Sequence, residues 1–402
     1  MDFLTKSSIL RRIFYYFALL ALLTGGIVFG LYFSQQQAVP LEVFAGVLVL
    51  FLFYYLLVSY FDVVRPLKTI LTQMKALLTG KKYQRIYTKR MDEIGVVAHF
   101  FNEVTKSFEK VSMDIREGKR MLSELEIASQ LQSDILPPES PDVTGLEIVA
   151  KTRPAVELGG DSFDFITRGD NTFIYVGDVT GHGVPAALVM TMVNTLIHTF
   201  VDVYDNAYDV LVNTNKQLKN RIKSTMFMTL LMLRWNRMSQ QMTFVGAGHE
   251  HLIIYRASNS KCEIVQSGGI ALGMVPDNSQ LIKEKEVPLS EGDVIILYSD
   301  GLTEGRNMAG EMYTLDRLIE AIERFAPQYG PAGIVHHVAL DYSRFSENHI
   351  QEDDVTLIAV QYVGVNGKSK DDEPETKSTL WASDSELAKD AKLEGDDTKT
   401  SE

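Results

Sequence analysis

Residues 13–33 and 43–61 are uncharged apolar runs of 21 and 19 residues, separated by nine residues. No other feature constrains the chain more. At about 1.5 Å per residue, each run can cross a hydrocarbon core of about 30 Å. A cleaved signal peptide is the competing reading of the first run. Its length, the lack of a small-residue cleavage site after it and the second run close behind it argue otherwise. Lys6, Arg11 and Arg12 precede the first run and Arg65 and Lys68 follow the second, while the linking SQQQAVPLE carries only Glu42. The positive-inside rule then puts both ends in the cytoplasm. Residues 1–61 are expected to form a membrane hairpin in the lipid bilayer of the inner (cytoplasmic) membrane, a multi-pass anchor with everything after it cytoplasmic.

After Pro66, Leu67, Ile70, Leu71, Met74, Leu77 and Leu78 recur at helical spacing, until Gly80 and KKYQR interrupt them. A second helical pattern starts at the Asp-Glu-Ile-Gly of 92–95. It runs through Ile94, Val97, Phe101, Val104, Phe108, Val111, Ile115, Gly118, Leu122 and Leu125, at spacings of three and four. Such a seam, broken only by Gly118, is that of a coiled coil, and the simplest burial for it is against its own copy in a parallel homodimer. Pro137-Pro138 closes the pattern. The proline after the span, the two amphipathic stretches and the DEIG opening resemble a HAMP domain, over 58–112. Residues 113–138 then read as a coiled-coil signalling helix.

The remaining chain is of a different kind. With 402 residues in all, there is room for two or three domains. The net charge of −13 argues against a nucleic-acid partner, whose phosphates need Lys and Arg. The single cysteine, Cys262, excludes an internal disulfide framework and a multi-cysteine zinc site; it reads as a structural residue in a strand. Strands are predicted at 146–151, 162–167, 172–179, 225–235, 241–248, 251–256, 293–300 and 354–363. Helices are predicted at 184–203, 207–222, 314–325 and 332–345. Strands and helices come in blocks rather than in alternation, which favours an α+β fold over a doubly wound parallel sheet.

Four acidic clusters interrupt this pattern: GGDSFDF (159–165), GDVTGHG (177–183), SDGLTEG (299–305) and EDDVT (352–356). Each lies where an apolar strand meets a Gly-rich or acidic turn, so sheet pairing can bring the four together. Converging carboxylates repel one another unless cations neutralise them, and hard divalent ions take oxygen ligands. A pair of such ions activates water near neutral pH and clamps a phosphoryl group.

The ordered pieces ASQLQSDILPP (128–138), RPAVELGGDSFDF (153–165), VGDVTGHGVPAALVM (176–190), GAGHEHLIIY (246–255), EGDVIILYSDGLTEGRN (291–307) and DDVTLIAV (353–360) resemble the SpoIIE-type branch of the metal-dependent PPM (type 2C) serine/threonine phosphatases. The resemblance implies a PPM-type β-sandwich flanked by helices over 139–365, with two or more Mn²⁺ or Mg²⁺ ions at one edge. It also implies a phosphoserine or phosphothreonine protein as substrate, of the anti-anti-sigma type. Matched residue by residue, Asp178 is the aspartate bridging the metals and the Val179 carbonyl the adjacent ligand. Asp300 and Asp353 are further metal aspartates, with Asp354 the alternative to Asp353, and Asp161 is an acidic ligand acting through water. Asp164 completes the acidic candidates, and Gly301 permits the tight turn after Asp300. His182 is either the general acid for the departing serine oxygen or a hydrogen-bonding partner of metal-bound water. Where the family commonly has a Phe-Gly pair, this chain has GEMYTLDR (310–317), a departure that bears on the substrate surface. Arg153 is the nearest candidate for gripping phosphate.

Two other enzymes fit less well. GGDSF resembles the Gly-Gly-Asp-Glu-Phe of diguanylate cyclases but has serine for glutamate and leaves three acidic clusters unexplained. A histidine kinase using His99 would need Gly-rich nucleotide motifs. A non-catalytic adaptor on the same fold is the non-enzymatic alternative. Residues 366–402 carry 11 acids against six lysines and few large apolar residues, a composition expected to be disordered, with Trp381 as a candidate anchor.

Overall fold

A computed structural model describes residues 8–35, 41–346, 349–364 and 381. The centre of the 34–42 linker and the tail expected to be disordered, Trp381 apart, lie outside the described residues. The chain divides into two compact units, Met1–Met121 and Leu122–Glu402.

In the first unit, α1 (Ile9–Gln35) and α2 (Leu41–Ser59) cover both apolar runs. By length and composition both can cross a membrane. A π-helical turn, Tyr60–Val64, leads from α2 without a break into α3 (Arg65–Leu78), where Pro66 occupies the first turn and needs no N–H partner. The DEIG sequence then starts α4 (Glu93–Ser133) for a visible reason. Asp92 Oδ1 accepts the Gly95 N–H at 3.1 Å, and the same carboxylate pairs with Arg90 at 2.7 Å and Arg12 at 3.5 Å. Gly95 is required there, since a methyl group would lie 2.1 Å from the Arg90 carbonyl oxygen. The predicted seam splits in two. Ile94 and Phe101 are buried, Ile94 packing with Ile70 and Ala98, whereas Val97, Val104, Phe108, Val111, Ile115 and Leu122 are exposed.

The second unit is a sandwich of two antiparallel five-stranded sheets. Sheet one has the order β1 (Leu146–Arg153), β10 (Val355–Tyr362), β9 (Val294–Tyr298), β6 (Leu252–Arg256), β7 (Lys261–Val265). Sheet two runs β2 (Ser162–Arg168), β3 (Asn171–Val179), β4 (Met228–Asn236), β5 (Gln241–Ala247), β8 (Glu284–Val287). Because strand side chains alternate, β3 serves two cores at once. Ile174 and Val176 enter the inter-sheet core with Leu231, Ile295 and Ile358. Phe173 and Tyr175 face the other way, against α5 (Val184–Val201) and α6 (Ala207–Lys219). On sheet one, Ile296 and Leu357 pack against α8 (Leu315–Phe325) and α9 (Pro331–Ser346). The short α7 (Asp300–Glu304) follows β9 directly. This is the α+β sandwich flanked by helices that the sequence predicts, with β8 as an additional short edge strand. Trp381 lies between sheet one and α9: its backbone N–H donates to the Thr152 carbonyl at 3.0 Å and its ring meets that of Tyr342 edge-on at 6.4 Å.

Candidate active site

Antiparallel pairing assembles the acidic clusters. Ser162 pairs with Gly177, so the start of β2 lies beside the end of β3 and Asp161 comes close to Asp178. Leu357 pairs with Tyr298, which sets the start of β10 beside the end of β9 and brings Asp353 and Asp354 to Asp300. Both pairs face the same edge of the sandwich, where each charge is felt by the others. Burial, followed by the charges of Asp300, Asp353 and Asp354, pushes the Asp178 carboxyl up to about 8. Asp300 rises to about 6 through burial and the charges of Asp353, Glu304 and Glu250. Asp161 is held well above the usual carboxylate range by burial and by Asp178 and Asp354, although Thr356 Oγ1 donates to its Oδ2 at 2.5 Å. Asp353 is raised by burial, with His182 close enough to ease its charge.

Gly160 leaves a cradle between these groups. A methyl group built on it would lie 3.0 Å from the Val179 carbonyl oxygen and 3.1 Å from Asp178 Oδ1. Gly301 has a similar role, since its added methyl would meet the Asp354 carbonyl oxygen at 2.1 Å. Oxygen donors that raise one another's proton affinity around a space kept open by glycine suit a hard divalent cation. Among the described residues no three His, Cys, Asp or Glu side chains close on a single point.

The two adjacent aspartates have separate tasks. Asp354 is buried and accepts three backbone N–H groups, from Gly160 at 2.6 Å, Ala155 at 2.8 Å and Asp161 at 3.2 Å. It shapes the loop that carries Asp161. Asp353 lies at the edge, where its carboxylate accepts the Asp354 N–H at 2.8 Å and its carbonyl accepts from Gln351 Nε2 at 2.8 Å. Asp164 is not brought to the edge. Its Oδ2 binds His198 Nε2 at 2.7 Å and accepts from Asn194 Nδ2 at 2.9 Å, both on α5. His182 lies exposed in the turn between β3 and α5, whose Gly181 and Gly183 take φ of +83° and +76°. Arg153 ends β1 opposite Val355, next to the site. Cys262 lies on β7, at the far edge of sheet one, where burial and Glu323 push its thiol up to about 12. That is no environment for a nucleophile.

Several contributors were not singled out from sequence. Glu304 could have been, because it follows Asp300 by four residues on one helix and so shares its face. His249 had no such signal. Its Nε2 is 3.1 Å from the Tyr298 carbonyl oxygen, so Nε2–H donates and Nδ1 accepts from the Thr229 hydroxyl at 2.9 Å. It thereby joins β4 to β9 beneath the acidic edge.

Known proteins agree with this architecture. The family described as Stage II sporulation protein E (SpoIIE) matches residues 168–363. The chain is 32% identical over 200 residues to "Phosphoserine phosphatase RsbU" of Bacillus subtilis, covering 49% of this chain and 59% of that one. It is 27% identical over 301 residues to "Protein IcfG" of Synechocystis, covering 67% of this chain and 46% of that one. The chain thus spans about half the length of these curated relatives. Among solved structures, the SiaA-PP2C domain of Pseudomonas aeruginosa superposes with a TM-score of 0.52 at 22% identity, over 61% of this chain and 98% of that domain, a likeness of fold. Residues 168–363, which include Asp178, Asp300 and Asp353, match the model of the SpoIIE family.

Proposed function

We propose that this chain is a membrane-anchored, metal-dependent protein serine/threonine phosphatase that acts in bacterial signal transduction. The convergence of Asp161, Asp178, Asp300 and Asp353 on one sandwich edge around the Gly160 cradle carries this reading. Asp178, the Val179 carbonyl, Asp300 and Asp353 would hold the ions, Mn²⁺ or Mg²⁺, with Asp161 as a further acidic neighbour. Bound ions supply a water nucleophile near neutral pH and a clamp for the phosphoryl charge. The protein's own residues do the rest. Asp354 fixes the loop, Gly160 keeps the cradle open, and His182 stands at the exposed rim to protonate the departing serine or threonine oxygen.

The substrate class follows the likeness to the relative named a phosphoserine phosphatase, and we assign an anti-anti-sigma-type phosphoprotein. α1 and α2 anchor the chain in the inner membrane with the catalytic domain in the cytoplasm, as the flanking Lys and Arg require. Residues 58–112 act as a HAMP-type relay, and the open seam of α4 pairs with a second copy.

Phosphate release from a phosphoserine protein with Mn²⁺, with EDTA as the control, tests the reading. Asp178→Asn removes a carboxylate that would hold the ions and is expected to abolish turnover, while Cys262→Ser leaves it unchanged. His182→Ala should slow phosphoserine more than an activated aryl phosphate, whose leaving group needs no proton. Full activity in EDTA or in Asp178→Asn would sink the mechanism. Binding of the phosphoprotein without turnover would favour the adaptor.

A further inference from the structure

The loop 154–161 joins β1 to β2 and delivers Asp161 to the acidic edge, and its backbone is held from three sides. Asp354 accepts three of its N–H groups. The Gly183 N–H, next to His182, donates to the Leu158 carbonyl at 3.2 Å. The third hold comes from the end of α4. Gln132, one residue before that helix stops, donates from Nε2 to the Gly159 carbonyl at 2.8 Å and accepts the Gly159 N–H on Oε1 at 3.2 Å. Both bonds are buried, and Gln132 and the loop lie in the same compact unit.

A side-chain amide that meets one peptide group with both donor and acceptor fixes that group's orientation as well as its distance. Little slack remains. A methyl group on Gly159 would lie 2.3 Å from Asp354 Oδ2, and the next residue already borders Asp178. A shift of Gln132 along or around the helix axis therefore has to move the Gly159–Gly160 peptides, and with them the spacing of Asp161 from Asp178.

We propose that Gln132 is a positioning residue for the acidic edge, making the last turn of α4 part of the loop that carries Asp161. The position of the helix is thereby coupled to the ability of the edge to take a cation. Gln132 lies before the stretch that the SpoIIE family matches. Its effect on rate rests on the phosphatase reading; its effect on cation binding does not.

The test uses the full chain in lipid nanodiscs and the variant Gln132→Met, which keeps the length and loses both hydrogen bonds. Mn²⁺ affinity is expected to fall about tenfold, the usual effect of losing a group that orients a ligand. Amide exchange at Gly159–Asp161 should accelerate while both sheets stay protected, and kcat should fall with KM for the phosphoprotein unchanged. Should Gln132→Met fail to fold, Gln132→Glu, which keeps the acceptor and loses the donor, is read the same way. Wild-type Mn²⁺ affinity with wild-type loop exchange would overturn the proposal, and so would faster exchange spread evenly over the sandwich. If the wild type releases no phosphate but Gln132→Met still loses Mn²⁺ affinity and loop protection, the positioning role stands and the phosphatase reading falls.

Discussion

The helices α1 and α5 pass the same test of length and apolarity for crossing a membrane, yet their surroundings differ. Eight α5 side chains are buried, Met190, Val193 and Ile197 completely, against β3 and β4. Asn194 on the same helix reaches Asp164 and the Tyr175 hydroxyl, a polar grip that suits a protein interior. In α1, by contrast, Leu19, Leu22, Leu23 and Ile27 are exposed. An apolar helix does not announce its solvent; the surface that faces it does. The open seam of α4 belongs with α1 in this respect, since its apolar side chains are exposed in the single chain.

The sharpest way to break this contrast is to place the same charge on both helices. Met190→Lys buries an unpaired ammonium and should destabilise the domain by on the order of 4 kcal/mol, a large fall in its denaturation midpoint. Leu22→Lys should leave the domain's denaturation midpoint unchanged and reduce membrane integration instead. Equal destabilisation of the domain by both would erase the distinction.

The seam gives a second test. Glu at both Val111 and Ile115 should turn a dimer of the full chain in detergent into a monomer at micromolar concentration, because like charges would be buried together. The thermal midpoint of the catalytic domain should move by no more than about 1 °C per few tenths of a kcal/mol, as for exposed sites generally. A dimer that persists would show that the seam is covered in another way.

A finer probe lies inside the sandwich. His249 is buried and its imidazole is held down to about 4, chiefly by burial, from an ordinary 6.5. Between those values the unfolded chain binds a proton that the folded chain refuses, so stability is fully present above pH 6.5 and falls as the pH drops towards 4. Going from pH 7 to pH 5 should cost about 2 kcal/mol by this group alone. Denaturant titrations of wild type and His249→Gln at both pH values isolate it. Equal losses in the two proteins would show that His249 is not the cause.

Much of this was legible in the sequence because alternation and helical spacing are local. The strands, the flanking helices and the acidic ends of β3 and β9 follow from neighbouring residues alone. Pairing across the chain adds what neighbouring residues do not carry. Asp353 and Asp354 are indistinguishable as letters, and only the three N–H groups converging on Asp354 separate the loop holder from the edge group. Asp164 reads like Asp161 because they share one motif, but a place three residues along β2 puts Asp164 against α5. Gln132 lies within the ASQLQSDILPP piece, but its task was not legible there, since its partner Gly159 is 27 residues away and meets it only in the folded domain.

The register of β1 against β10 has a further consequence. Leu146, where the chain enters the sandwich, lies directly opposite Tyr362, where it leaves, on neighbouring strands. Entry and exit are thus side by side, the arrangement in which a domain can be spliced into a longer polypeptide, or circularly permuted, without stretching either connection. A fold so joined can accept new segments before β1 or after β10 while the opposite pairings keep the acidic edge in place.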